Sequence, residues 1–277
     1  MLFKINGSFG IQAFRLFLTG MAFAAVLSSC SLKEDRYPCP CYLNVSFEEK
    51  ESLRDTVSLL GWNSAELFSD AILAGDYDPY WVKAVRKGIF NFSVSRGAAP
   101  SDRNGHFIEA KFGSQSDSLY AFHDEIVAEG DMVYSKVRFH KQFCTVFLDI
   151  MKNGEQMKDF GFLVTGNTCG FDLLDFSPVS GPFSYDFRGI YGERTVSFRI
   201  PRQIDESMVL TIYRYDSEGV PEHMGNFPLG KYIVKTGYDW SEVDLQDVYV
   251  TVDLAIGQVI IAVDGWEDGM VFFYIEQ

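Results

Sequence analysis

Short stretches of apolar–polar alternation recur along almost the whole chain, and none is joined to a long amphipathic helical period. Cys41, Leu43, Val45 and Phe47 alternate with Tyr42, Asn44 and Ser46; Phe90, Phe92 and Val94 alternate with Ile89, Asn91 and Ser93. The same pattern returns at Cys144, Val146, Leu148 and Ile150, at Val196, Phe198 and Ile200, and at Val248, Val250, Val252 and Leu254. A period of two turns one side of an extended segment toward a core and the other away from it. Short strands at such spacing, parted by turn residues, restrict the chain to all-β architecture of the sandwich type. Aromatic residues make up 16%, with 25 phenylalanines, a load that packs well on sheet faces.

Further strands are expected at Leu119–Ile126, Met132–Phe139, Met208–Tyr215, Gln258–Val263 and Val271–Ile275. In the second of these Val133, Val137 and Phe139 oppose Tyr134, Lys136, Arg138 and His140, which puts His140 on a solvated side. Thr56–Leu60 and Ala65–Leu73 fit a strand and a short helix equally. Gly97–Gly105 reads as a turn-rich loop and Phe160–Val164 as a short apolar run. Gly166–Gly192 reads as a long glycine-punctuated connection with a strand at Phe171–Leu174, and Asn226–Gly237 as a turn into a short strand.

The first thirty residues read differently. Lys4 and Arg15 precede a 12-residue apolar run, Leu16–Leu27, which suits the core of a signal peptide and is too short to cross roughly 30 Å of hydrocarbon. Leu27-Ser28-Ser29-Cys30 then resembles a bacterial lipobox, making Cys30 the acceptor of a diacylglycerol whose buried chains would hold the protein at a membrane. The following Ser31-Leu32-Lys33-Glu34-Asp35 reads equally as a surface-export signal of Bacteroides-type bacteria and as a solvated charge run. The expected organisation is a signal peptide over 1–29, a lipidated tether over 30–40, and two β-sandwich domains over 41–135 and 136–277. Ser31–Pro40 spans at most about 33–36 Å, so the first strand begins close to the lipid.

The net charge is −14, and removal of residues 1–29, whose charged residues are Lys4 and Arg15, brings it to −16. A body so acidic repels nucleic acid and anionic lipid alike, so the membrane hold is expected to be covalent or hydrophobic.

The remaining cysteines, Cys39, Cys41, Cys144 and Cys169, are open to disulfide pairing in an exported protein and to service as structural thiols. Their spacing is poor for zinc, and no metal site is expected. The histidines His106, His123, His140 and His223 belong to no HExxH motif, and neither a nucleophile elbow nor a phosphate loop is present, so no catalytic residues and no small-molecule substrate are expected. Asp76 and Asp78 lack the spacing of a calcium loop, while Glu48-Glu49 and Glu267-Asp268 read as surface. Tyr77, Tyr80, Trp81, Tyr213, Tyr215 and Tyr249 could form a sugar-stacking platform, against the plainer alternative of cross-strand packing.

Asp35-Arg36-Tyr37-Pro38-Cys39-Pro40-Cys41, placed a few residues after Cys30 and running into a strand, resembles the FimB-type minor fimbrial subunits of Bacteroides-type bacteria. Lys87–Phe92 and Val263–Trp266 agree more loosely. The resemblance implies two transthyretin-like β-sandwiches and a surface-exposed outer-membrane lipoprotein that anchors a fimbria and limits its length. Its partner would be the shaft subunit, met by β-strand pairing. No cofactor is implied beyond the acyl lipid on Cys30. A fimbrial shaft or tip subunit and a glycan-binding surface lipoprotein are the alternatives.

Overall fold

A computed structural model describes residues 39–48, 54–64, 67–73, 76, 80–152, 155–156, 160–188, 195–263 and 271–274. Cys30, the residues before it, Asp78 and Trp266 lie outside that set.

The first half of the chain forms β1 (Cys41–Phe47), β2 (Val57–Trp62), β3 (Leu67–Ile72), β4 (Trp81–Val85), β5 (Gly88–Arg96), β6 (Arg103–Asn104), β7 (Phe107–Glu109), β8 (Tyr120–Ala128), β9 (Met132–Val137) and β10 (His140–Lys141). The second half forms β11 (Phe143–Lys152), β12 (Glu155–Gln156), β13 (Phe160–Asp172), β14 (Ser177–Arg188), β15 (Val196–Pro201), β16 (Val209–Tyr215) and β17 (Pro221–Phe227). A short helix α1 (Leu229–Lys235) follows, then β18 (Val248–Asp253), β19 (Gln258–Val263) and β20 (Val271–Tyr274). The all-β sandwich expected from the alternation is the fold observed.

A three-stranded sheet ordered β4-β1-β9 faces a five-stranded sheet ordered β10-β8-β5-β2-β3. Cys41, Leu43 and Val45 of β1 meet Leu59, Phe92 and Val94 of the facing sheet, all without solvent exposure. The second sandwich packs β12-β11-β18-β19-β20, with β15 beside β11, over β17-β16-β13-β7-β6, with β14 beside β13. Its core includes the inward row Cys144, Val146, Leu148 and Ile150, together with Phe160, Phe162 and Phe198. Burying each such side chain contributes about 1.5–3 kcal/mol, which is why the alternation in sequence is so regular there.

The two undecided segments after β1 are strands, β2 and β3, paired antiparallel from Val57↔Ile72 to Trp62↔Leu67. Gly166–Gly192, expected as a connection, is instead largely a hairpin: β13 runs 13 residues and returns as the 12-residue β14. Its signal is weak because small residues interrupt the apolar alternation, and at Gly170 a Cβ would stand 2.2 Å from the Ile108 carbonyl oxygen. The ladder absorbs register shifts at Gly166/Thr168 and Thr168/Gly170. Pro178 and Pro182 sit on β14, an edge where the missing N–H costs nothing to a neighbour. The strand expected within Asn226–Gly237 is instead α1, whose Leu229 and Ile233 lie one turn apart and are both buried in the second core.

A third apolar cluster forms the seam between the sandwiches. Between β5 and β8 the chain leaves the first sandwich, lays β7 against the far half of β13 (Gly170↔Glu109, Phe171↔Ile108, Asp172↔Phe107), and returns. Leu60, Leu119 and Ala121 from one side thereby meet Ile108, Phe171 and Leu173 from the other.

Candidate functional site

No group of three or more histidine, cysteine or carboxylate side chains converges in a way that could hold a metal ion among the described residues. Among the described residues the four cysteines are unpaired: Cys39 is exposed, Cys41 lies in the first core, Cys144 in the second, and Cys169 is half-buried on β13. Burial pushes the Cys41 thiol up, against an opposing pull from Lys87, and pushes Cys144 up to about 12. Burial thus holds both in the neutral thiol form, the unreactive one. The Cys169 sulfur lies over Gly181, where an added Cβ would stand 2.5 Å from it. Cys41 and Cys144 pack within the two cores, and Cys169 packs over Gly181.

His140 is not solvated as its alternation suggested. Its side chain is 21% exposed and its Nδ1 lies 3.0 Å from Asp244, whose other oxygen accepts the Lys141 N–H at 2.8 Å. This pair pins the 239–247 segment to β10. His123 lies in the seam, stacked on Phe176 at 5.2 Å and beside Trp62 at 5.6 Å. Ser93 Oγ donates to the Leu173 carbonyl at 2.6 Å, so it must accept from His123 Nδ1–H at 2.9 Å. Ser93, expected on a polar face, is fully buried because that face meets the second sandwich. Phe176 is the one non-glycine residue of positive φ (48°) among the described residues, a conformation held by its packing on His123 and Phe171.

Burial lowers the His123 pKa, with Asp124 opposing. Above about pH 6.5 the ring is neutral in both folded and unfolded chains; below it the unfolded ring takes up a proton more readily, and stability is lost as pH falls. The melting temperature of wild type is expected to drop further between pH 7.5 and pH 5 than that of His123→Gln. Equal drops in paired thermal melts would remove His123 as the cause.

Among the described residues Trp81, Tyr213 and Tyr249 do not come together as one aromatic platform. Trp81 stacks on Phe68 in the first sandwich, Tyr213 meets His223 on β16–β17, and Tyr249 stacks on Phe147 across β18–β11. Tyr77 lies outside the described residues and Asp76 is exposed. A cleft of about 680 Å³ opens between Phe176, Pro178, Ile204, Trp240 and Val243. Arg202, 8% exposed, lines it, but its donors are spent on the chain: Nε to Gln142 Oε1 at 2.9 Å, Nη2 to the Glu242 carbonyl at 2.7 Å, and Nη1 to the Trp240 carbonyl. The guanidinium is a strut for the 240–243 loop.

What the fold does offer is sheet edges. β1 is the middle strand of its sheet, antiparallel to β4 from Cys41↔Val85 to Val45↔Trp81 and parallel to β9 from Tyr42↔Met132 to Phe47↔Val137. The outer face of this sheet carries Tyr42, Val82, Met132 and Tyr134, exposed by 48%, 52%, 59% and 68%. Periodicity in the sequence marked β1 as a strand and left open which strands flank it.

No protein-family model and no curated protein matches the chain. Solved structures do. A candidate polysaccharide-binding protein from Bacteroides thetaiotaomicron superposes with a TM-score of 0.60 at 14% identity, covering 86% of this chain and 99% of that one. A candidate adhesin from the same organism gives 0.56 at 16% identity, covering 84% and 98%. A candidate adhesin from Bacteroides ovatus gives 0.54 at 12% identity, covering 85% and 96%. At these identities what is shared is the fold.

Proposed function

We propose that this chain is a non-enzymatic outer-membrane lipoprotein, exposed at the cell surface, that anchors a fimbria by strand pairing with its shaft subunit and limits its length. Cys30 would carry the lipid. The observation that carries this reading is the junction at Cys41: the tether and its Cys-Pro-Cys cluster lead directly into a strand that is central in its sheet and sealed on its inner face. A pull on the fibre would therefore be borne by a paired core strand rather than by a loop. The fold shared with candidate adhesins of Bacteroides adds support.

Cys30→Ala tests the reading. The body is expected to fold as wild type by circular dichroism and thermal melt, but to leave the membrane fraction and take attached fibres into the medium. Retention in the membrane fraction, with fibres still on cells, would overturn it.

A shaft subunit would instead surrender β1. Arg54 is exposed and is the first arginine after β1, so a cut there would free that strand. N-terminal sequencing of the surface form separates the two: a chain beginning at acylated Cys30 is expected, and one beginning at Asp55 would make this a shaft subunit.

A further inference from the structure

The anchor reading leaves open which edge meets the shaft, and the edges differ in how they are protected. β14 carries Pro178 and Pro182, and β17 opens on Pro221, faces a bulge at Ile212/Tyr213 and holds a Glu222–Arg214 ion pair. On β15 the Arg199 N–H and carbonyl are already taken by Gln115 Oε1 and the Ser116 N–H, both at 3.0 Å. β10 is held by Asp244 and by the Leu245 N–H. Between β3 and β4 lies the Asp70–Lys83 pair at 3.2 Å, and Asp70 also accepts the Ala71 N–H. Prolines, bulges and charges of this kind are what keep edges from pairing.

β9 has none of them along its centre. Met132–Val137 contains no proline and no glycine, and pairs on one side only, with β1. Asp131 and Val137 turn their carbonyls to the Tyr42 and Glu48 N–H groups, so the alternate residues Met132, Tyr134 and Lys136 present N–H and C=O to the open side. Their side chains lie on the outer face; Lys136, at the far end, pairs with Glu48 at 2.9 Å. On the inner face Ser135 is 3% exposed, and its hydroxyl has no hydrogen-bond partner among the described residues. A buried hydroxyl without a partner is costly, and a neighbouring strand with a polar inward side chain would satisfy it.

Resting on the anchor reading, we propose that the β9 edge receives a strand of the shaft subunit. The incoming strand carries Ser, Thr or Asn opposite Ser135 and apolar residues beside Met132 and Tyr134. A row of free amides and carbonyls calls for an extended backbone, and Ser135, buried on the inner face, lies out of reach of a glycan resting on the outer face. A second copy of this chain is disfavoured by charge, since each body brings a net −16.

The test uses full-length lipidated protein on cells, with fimbriae sheared from the same cells as the probe for purified protein. Tyr134→Pro removes the central free N–H and leaves the β1 ladder intact; Tyr134→Ala removes only the side chain. Tyr134→Pro is expected to keep the wild-type melting temperature and membrane fraction yet weaken fimbria binding at least tenfold, with a smaller loss for Tyr134→Ala. Wild-type binding by Tyr134→Pro would overturn the edge assignment while leaving the anchor reading standing. A strain lacking the protein separates the failures: if it holds its fibres normally, the anchor reading falls and the edge assignment with it. If light scattering shows a wild-type dimer that Tyr134→Pro abolishes, the occupant is a second copy and the shaft strand is overturned. Should Tyr134→Pro melt lower than wild type, Lys136→Pro, at the strand's end, must reproduce the binding loss at wild-type stability or the proposal fails.

Discussion

Gly170→Val is expected to destabilise the protein by about 3 kcal/mol, the upper end for overpacking a well-filled interior. A Cβ at this position would stand 2.2 Å from the Ile108 carbonyl oxygen and 2.9 Å from the Glu109 Cα. Both are backbone, and both are fixed by pairing to β13 and by the Ala110 N–H donating to the Cys169 carbonyl at 2.8 Å. No rotamer change relieves the clash, so β7 must lift. The consequence is regional, because β7 carries Ile108 into the seam against Leu60, Leu119 and Phe171. Wild type is expected to unfold in one denaturant transition; Gly170→Val should show two and be cut first within residues 97–118. Gly130→Ala, whose Cβ would find its nearest neighbour at 3.7 Å, is the control and should stay within about 0.5 kcal/mol. A single unshifted transition for Gly170→Val would mean the seam does not couple the sandwiches.

The seam also marks where sequence reading ran out. Strands that face one core announce themselves: β1, β11, β15 and β18 each bury alternate residues and were read from Cys41, Cys144, Val196 and Val248 onward. The alternation also marks β5 and sets Ser93 on the side away from Phe92 and Val94, yet Ser93 is 0% exposed. A serine facing a second domain has the same letter as one facing water. The second half of β13 is harder to read for the opposite reason: it carries Gly166, Thr168 and Gly170 where a core strand would carry branched residues, and at Gly170 the β7 backbone leaves no room for a side chain. α1 spans only seven residues, too few for a helical period to emerge. As for the site, Cys41 and its strand were legible, whereas the β9 edge depends on which strands lack neighbours, and pairing is long-range.

Leu43→Ala is expected to cost about 2–5 kcal/mol, the range for emptying a filled core position, and to act on the first sandwich alone. Leu43 is fully buried at the middle of β1, opposite Lys83 on β4 and Val133 on β9, so the cavity opens in the strand that both neighbours share. The cysteines report the result residue by residue. Cys39 is exposed and should react with iodoacetamide in every variant. Cys41 is fully buried with its thiol pushed up by burial, and should be protected in wild type and labelled once β1 loosens. Cys144 sits in the other core, near pKa 12, and should stay silent. On cells, Leu43→Ala keeps Cys30 and should remain in the membrane fraction while losing fibres, the mirror image of Cys30→Ala, which keeps the body and loses the membrane. If Leu43→Ala exposes Cys41 yet holds its fibres as firmly as wild type, the packing of β1 in its sheet does not bear the load, and that support for the anchor reading falls.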